Sequence, residues 1–351
     1  MTSIQSEKSR EELSVVVPVY NEEENVRELI ERTIAVLEQC VESFEIILAD
    51  DGSTDATTTH IREYAGKDDR VKLIRFSRNF GQEAAVQAGF LQARGEWVLQ
   101  MDGDLQNPPE EIPKLLEQRE NGFEVVWGFR HDRQDSWPRR FASWMLTFFM
   151  KNLMGISVPE DVTTFRLLRA DIAKLVAQLP EKKKFLSALI VWSGAKAIGI
   201  PVQHSRRIAG KTKYNFFKLI NHTIDLIVGF TIRPLRIMGV IGGIVATGGL
   251  GYGIFSIFQK LMGVPIEMGF TSLMSSITIL GGLNLITLAI VGEYVGRVFV
   301  QLQDRPLYLI DEFVGFDQLP VPQEHRDDKA KGTDHRMRIS SVESAEILQD
   351  S

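Results

Sequence analysis

The sequence predicts an α/β protein: a mostly parallel sheet flanked by helices, followed by a two-helix apolar hairpin toward the C-terminus. Three observations predict it. Short apolar runs alternate with helical patterns over residues 13–129, the order that builds parallel sheets with helices on both faces. Two uncharged stretches, 237–258 and 268–292, are each long enough to cross a bilayer core of about 30 Å. Polar residues of unusual kinds recur where the apolar runs end, and ligands of such sheets bind beyond the carboxyl ends of the strands.

Each element has its own signal. LSVVVPV (13–19) is a continuous apolar run too short for a helix, and so a buried strand. NEEENVRELIERTIAVLEQ follows as a helix, acidic at its start, with Val26, Leu29, Ile30 and Leu37 at helical spacing. Next come the strand FEIILAD, the turn DGSTD, a short helix and the strand VKLIRF. QEAAVQAGFLQARG reads as a helix leading to the strand EWVLQM. PPEEIPKLLEQRENG reads as one helix with prolines near its start, and FEVVWGF as the next strand. SWPRRFASWMLTFFMKNLMG (136–155) mixes two tryptophans, three phenylalanines and basic residues. It reads as an amphipathic helix in a membrane interface, a buried core helix being the alternative. KTKYNFFKLINHTIDLIVGF (211–230) has the same character.

The uncharged stretches admit a buried helical hairpin as an alternative, but buried helices rarely avoid charge for so long. Arg233 and Arg236 precede the first stretch, and Arg297 and Arg305 follow the second. Positive-inside bias therefore puts both ends of the hairpin in the cytosol and its loop outside. Glu293, at the end of the second span, is expected to pair with a nearby arginine. The organisation read from this is a flexible N-terminus (1–12), a cytosolic domain with interfacial helices (13–230), two transmembrane helices (231–300), a juxtamembrane segment (301–317) and a disordered tail (318–351). The tail is polar, mixed in charge and poor in aromatics.

Composition removes several functions. A net charge of −6 over 351 residues gives no sign of a nucleic-acid partner. The single cysteine, Cys40, excludes an intrachain disulfide and a cysteine metal cluster. His204, His222 and the other histidines show no ligand spacing. The start, MTSIQSEKSREE, lacks the apolar core of a secretory signal, so the first domain is expected to stay in the cytosol. PVYNEEEN has no glycine where a dinucleotide-binding fingerprint would need one. GGLGYG (248–253) lies inside an apolar stretch, where small residues mean close helix packing. There is no Walker lysine motif either, so a metal must handle any nucleotide phosphates.

Carboxylates collect at the predicted strand ends: Glu22 after strand one, Asp50 and Asp51 after strand two, Asp102 and Asp104 after strand four. Two carboxylates straddling a glycine, as in QMDGDLQ, suit either a solvated acidic loop or a shared divalent cation. A solvated loop, or a helix start favoured by negative charge, explains Asp104 but not clustering across the strand ends. Mg²⁺ and Mn²⁺ prefer such oxygen ligands, and residues i and i+2 of an extended segment project to one side.

PVYNEEENV, ADDGSTDAT, RNFGQEAAVQAGF and MDGDLQNPPE, in that order and spacing, resemble family 2 glycosyltransferases with the GT-A fold. The closer likeness is to the branch containing dolichol-phosphate mannose synthases and bacterial polyprenyl-phosphate glycosyltransferases. RRIAGKTKYNFFKLI (206–220) and GEYVGRVFVQLQDRPLYLI (292–310) narrow it, and the resemblance spans residues 13–312. It implies a nucleotide-sugar donor, a lipid monophosphate acceptor and inversion at the anomeric carbon. It also implies that Pro18, Tyr20 and Glu22 line the nucleoside site with Asp50, Asp51 and Asp102, while Asp102, Asp104 and Gln106 face the metal and diphosphate. The branch often carries a second aspartate where this chain reads DVTTFRLL: Asp161 keeps the first position and Thr164 replaces the second.

A lipid phosphate with a second pKa of about 6 is already largely ionised at neutral pH, so the loss at Thr164 is tolerable. Two phosphates held together do need positive charge. Arg130 is the candidate beside Asp102, Asp104 and Asp161 in the catalytic set, with Arg133, Arg207, Lys213 and Tyr214 at the acceptor phosphate. Any one of these cations also suits a solvated surface.

The reading is a metal-dependent hexosyl transfer, from a uridine-diphosphate hexose to undecaprenyl phosphate, at the inner face of the cell membrane, serving envelope or glycan modification. A guanosine-diphosphate mannose donor and a modified pentose of the aminoarabinose type are the alternatives, and a homo-oligomer is compatible with it. A processive polysaccharide synthase would need a Q-x-x-R-W motif and more spans. A degenerate transferase domain serving as a membrane scaffold is opposed by the intact Asp102 and Asp104.

Overall fold

A computed structural model describes residues 11–130, 162–180, 185–203, 233–263, 269–303 and 305–316. Strands β1 (Leu13–Val19), β2 (Phe44–Asp50), β3 (Val71–Phe76) and β4 (Trp97–Gln100) are mutually parallel, with β1 between β4 and β2 and β3 beyond β2. Their residues are buried on both faces, which is why they read as unbroken apolar runs rather than alternating ones. Helices α1 (Val26–Cys40) and α2 (Thr57–Ala65) cover one face, with Leu29, Ile30, Leu37 and Ile61 meeting Val15, Val17 and Leu48. The other face packs Val16, Ile47 and Ala49 against α3 (Gln82–Gln92). Gly89 of α3 lies so near β1 that a Cβ there would stand 2.2 Å from Val16 Cγ1.

Two differences from the sequence reading concern helices. PPEEIPKLLEQRENG is not one helix. It breaks into a 3₁₀ turn (Pro109–Glu111), α4 (Ile112–Leu116) and a second 3₁₀ turn (Glu117–Asn121), ended by Gly122 at φ 72°. Pro113 has no amide to donate to the Pro109 carbonyl, so a continuous ladder cannot form. Helices α5 (Ala170–Gln178) and α6 (Leu186–Trp192), which the sequence reading passed over, pack beside α3 through Ala173, Val176, Leu186 and Leu189.

The sheet is also wider than expected. β5 (Val125–Arg130), β6 (Val162–Arg169), β7 (Ala197–Val202) and β8 (Ile310–Val314) complete the order β7-β5-β6-β4-β1-β2-β3-β8. β6 enters antiparallel between β4 and β5, and β8 runs antiparallel along β3. Within the segment read as juxtamembrane (301–317), Ile310–Val314 is an edge strand of the sheet, so the sheet draws residues from beyond the apolar hairpin.

That hairpin is α7 (Arg233–Leu261) and α8 (Phe270–Leu302). Their most apolar windows, within Leu235–Phe255 and Ser275–Leu302, are unburied by the rest of the protein. α8 continues ten residues past the predicted end of the second span at Gly292, about 15 Å at about 1.5 Å per residue. On this extension Arg297 pairs with Glu293 at 2.9 Å, as expected, and Gln301 Nε2 donates to the Pro180 carbonyl at 2.7 Å. The predicted helices at 136–155 and 211–230 and the predicted tail lie outside the described residues.

Candidate active site

The carboxyl ends of the parallel strands open into four loops that bind one another. After β1, the Asn21 amide donates to Ser53 Oγ (3.0 Å) and the Glu22 amide to Thr57 Oγ1 (2.8 Å), while the Thr54 amide donates back to Asn21 Oδ1 (2.9 Å). Asn21 takes a left-handed φ of 54°, which asparagine tolerates. Tyr20 stands above this junction with 44% of its surface open. Pro18 is buried below it, and Glu22 accepts from Asn25 Nδ2 at 2.7 Å.

After β2, Asp50 is fully buried. Its carboxylate accepts from the Ser53 amide (2.9 Å) and from the Thr58 hydroxyl. These two bonds tie the end of β2 to the turn and to the start of α2, and the nucleoside contact expected of Asp50 stays a proposal. Asp51 reaches across to the loop after β3, accepting from the Phe80 amide (2.6 Å) and the Gly81 amide (2.9 Å). Burial raises the Asp51 carboxyl above its usual range, the two amide bonds pull it back, and the charge of Asp50 adds to the rise.

The loop after β4 carries Asp102, Gly103, Asp104, Leu105 and Gln106. Leu105 is held at φ 57°, a strained backbone for a branched residue. Burial of its side chain anchors it. A Cβ on Gly103 would come 2.9 Å from Val19 Cγ1 and 3.2 Å from the Pro18 carbonyl. Only glycine lets this loop lie so close to β1. The Gln106 amide donates to Asp104 Oδ1 at 3.2 Å.

Asp102 is gripped from both sides. Gln82 Nε2, at the start of α3, donates to Oδ1 at 2.7 Å, and the Thr164 hydroxyl of β6 donates to Oδ2. Loss of solvent raises the Asp102 carboxyl above its usual range, the Thr164 bond opposes this, and the charge of Asp104 adds to the rise. Beneath it lies Arg166, fully buried, with Nε on Gln100 Oε1 (2.8 Å), Nη1 on Ser187 Oγ (2.9 Å) and the guanidinium over the Trp127 ring at 5.2 Å. Burial pushes Arg166 down to about 10 against the pull of Glu83 and Asp102, so it stays charged at neutral pH.

A model of the family described as "Glycosyl transferase family 2" matches residues 14–176. An uncharacterized glycosyltransferase of Synechocystis is 36% identical over 312 residues, 88% of this chain and 98% of the relative. The undecaprenyl-phosphate 4-deoxy-4-formamido-L-arabinose transferase of Proteus mirabilis is 38% identical over 306 residues, 86% of this chain and 94% of the relative. Its namesake in Edwardsiella ictaluri is 36% identical over 315 residues, 89% of this chain and 97% of the relative. The chain belongs to glycosyl transferase family 2.

Membership brings the GT-A fold that the motifs implied, and the mostly parallel mixed sheet has that form. The family 2 domain gathers Tyr20, Glu22, Asp51, Asp102, Asp104 and Gln106 at one sheet edge. Arg130 ends β5, paired in register with Val202. Asp161, Arg133, Arg207, Lys213 and Tyr214 lie outside the described residues. The sequence reading missed Gln82, Arg166 and Ser187, and took Thr164 only as a missing aspartate. Arg166 carried one overlooked signal: an arginine inside the apolar run FRLL needs a buried partner.

Proposed function

We propose that this family 2 protein is a membrane-anchored, inverting transferase that moves a sugar from a nucleoside diphosphate to polyprenyl phosphate. One observation carries the reading. The sheet edge bearing Asp102 and Asp104 is also the edge where the chain departs for the apolar helices and returns from them. β7 ends there at Val202, and Ile310 of β8 rejoins the sheet opposite Phe76 at the end of β3. A site at that edge faces the lipid surface, where a polyprenyl phosphate presents its headgroup.

The residues fit a divalent cation of the Mg²⁺ or Mn²⁺ kind. Among the described residues no cluster of three or more His, Cys, Asp or Glu could cage an ion by itself. A pair of carboxylates is what Mg²⁺ takes when substrate phosphates and water complete its shell. Asp102, Asp104 and Gln106 would hold it, and its charge would stabilise the nucleoside-diphosphate leaving group. Gln82 and Thr164 keep the Asp102 carboxylate in one orientation, and Arg166 offsets the repulsion between the paired aspartates. Tyr20 offers an open ring for the base, and Asp51 holds the loop beneath it. The phosphate oxygen of the acceptor attacks the anomeric carbon as the diphosphate leaves from the opposite face, so the configuration inverts. With the acceptor already ionised, the Thr164 hydroxyl is needed as a donor to Asp102 and not as a base. Arg130, Arg133, Arg207 and Lys213 remain the proposed phosphate-binding cations, with Tyr214 at the interface.

The donor is proposed to be a uridine-diphosphate sugar. The relatives named for 4-deoxy-4-formamido-L-arabinose transfer favour the modified-pentose alternative over a plain hexose. The test is direct: purified full-length protein, undecaprenyl phosphate, and a panel holding uridine-diphosphate glucose, the formamido-arabinose donor and guanosine-diphosphate mannose, with Mn²⁺ or Mg²⁺. Formation of a lipid-phosphate sugar supports the reading. Absence of lipid product with every donor, in protein that is folded, refutes it.

A further inference from the structure

The loop Ser77–Gly81, between β3 and α3, is held from two sides. On the site side its Phe80 and Gly81 amides bind the Asp51 carboxylate. Gly52 there takes φ 71° and packs so tightly that a Cβ would stand 2.5 Å from the Arg78 carbonyl carbon. The residue after the loop, Gln82, donates to Asp102. Any displacement of this loop therefore moves a contact of Asp51 and a contact of Asp102 together.

The other side is held by residues that follow the second apolar helix. The Ser77 amide donates to the Leu309 carbonyl at 3.0 Å. The Tyr308 ring stacks on Phe76 with centroids 4.7 Å apart and planes within 10° of parallel. Phe76 in turn meets Phe80 edge-on at 5.8 Å, and the Arg78 guanidinium lies over Phe80 at 4.2 Å. The segment is fastened well enough to act as a support. β8 pairs with β3 from Val314 to Ile310, Arg62 binds Glu312 at 2.7 Å and Arg75 binds Asp311 at 3.1 Å. The ladder slips between Arg75 and Phe76, a bulge of the kind that re-aims side chains beside sites.

We propose that Tyr308 and Leu309 are positioning residues of the donor site, bracing the Ser77–Gly81 loop so that Asp51 and Gln82 stand ready for a nucleoside diphosphate. The inference rests on the donor-site reading above. Its physical content is a population: a loop without its brace spends less time in the binding geometry, and apparent affinity falls by that fraction. The ring face makes the contact, so the phenol hydroxyl is dispensable.

Titration calorimetry of the full-length protein in detergent, with UDP as probe and Mn²⁺ present, tests it. Tyr308→Ala is expected to raise the Kd for UDP about tenfold at unchanged stoichiometry, while Tyr308→Phe stays within about twofold of the parent chain. A merely structural role would instead reduce the fraction that binds and leave the Kd of the rest unchanged; that result, or a Tyr308→Ala Kd equal to the parent's, overturns the proposal. Should Tyr308→Ala not fold, Tyr308→Leu keeps apolar volume, loses the stacking face and is read the same way. A parent chain that binds neither UDP nor GDP refutes the donor-site reading and the brace with it. A parent chain that binds while the variants make no difference refutes the brace alone.

Discussion

Each Asp102 oxygen faces a different donor, Gln82 on one side and Thr164 on the other. A carboxylate held this way cannot rotate to follow a misplaced ligand, so the two donors would fix the position of the proposed cation. Asp104→Asn should lower turnover on the order of 10²-fold, because the leaving group loses electrostatic stabilisation. Excess chelator should abolish activity and Mg²⁺ or Mn²⁺ restore it; full activity in chelator would refute the metal reading. Thr164→Val removes the hydroxyl but keeps the shape. A hydrogen bond to a charged group contributes about 1.5–3 kcal/mol, so turnover should fall by roughly tenfold or more. Thr164→Ser should retain most of it, and equal rates for the valine and serine variants would mean that the hydroxyl is idle.

Helix α3 and strand β2 set the tolerances around those residues. Gly89→Ala drives a methyl into Val16 and should cost about 1–3 kcal/mol by overpacking, read as a lower denaturation midpoint. At the opposite end of β2 the buried Glu45 accepts from Ser14 Oγ (2.5 Å) and the Arg94 amide (2.6 Å) and pairs with the buried Lys72. Glu45→Ala leaves Lys72 buried without that carboxylate, and breaking such a pair costs about 3–5 kcal/mol. Denaturant unfolding should register that loss, whereas an unshifted midpoint would mean that water repairs the gap.

The pairing of β8 with β3 constrains the path of the whole chain. Strands of one sheet lie on one side of a membrane, so the proposed anchoring would put the segments before α7 and after α8 in one compartment, with the hairpin crossing an even number of times. In a Cys40→Ala background, Met262→Cys should react with an impermeant maleimide in intact cells. Asp311→Cys should react only after permeabilisation. Labelling of both, or of neither, in intact cells would break the topology.

The amino-acid order alone determined the four parallel strands, the three helices between them, the two apolar spans and the carboxylate-bearing strand ends. Each of these is written in local periodicity or in a contiguous motif, and burial on both faces of the sheet enforces it. Tertiary structure decided what depends on partners distant in the chain. Arg166 looks out of place in β6 until Gln100, Ser187 and Trp127 surround it. Thr164 reads as a lost aspartate until its hydroxyl is found on Asp102. Asp50 reads like Asp51 until the turn encloses it. IDEFV reads only as part of a juxtamembrane segment because half of what makes it a strand, the open edge of β3, lies more than two hundred residues earlier. Local pattern records which surfaces a segment must bury; it does not record which distant surface will bury them.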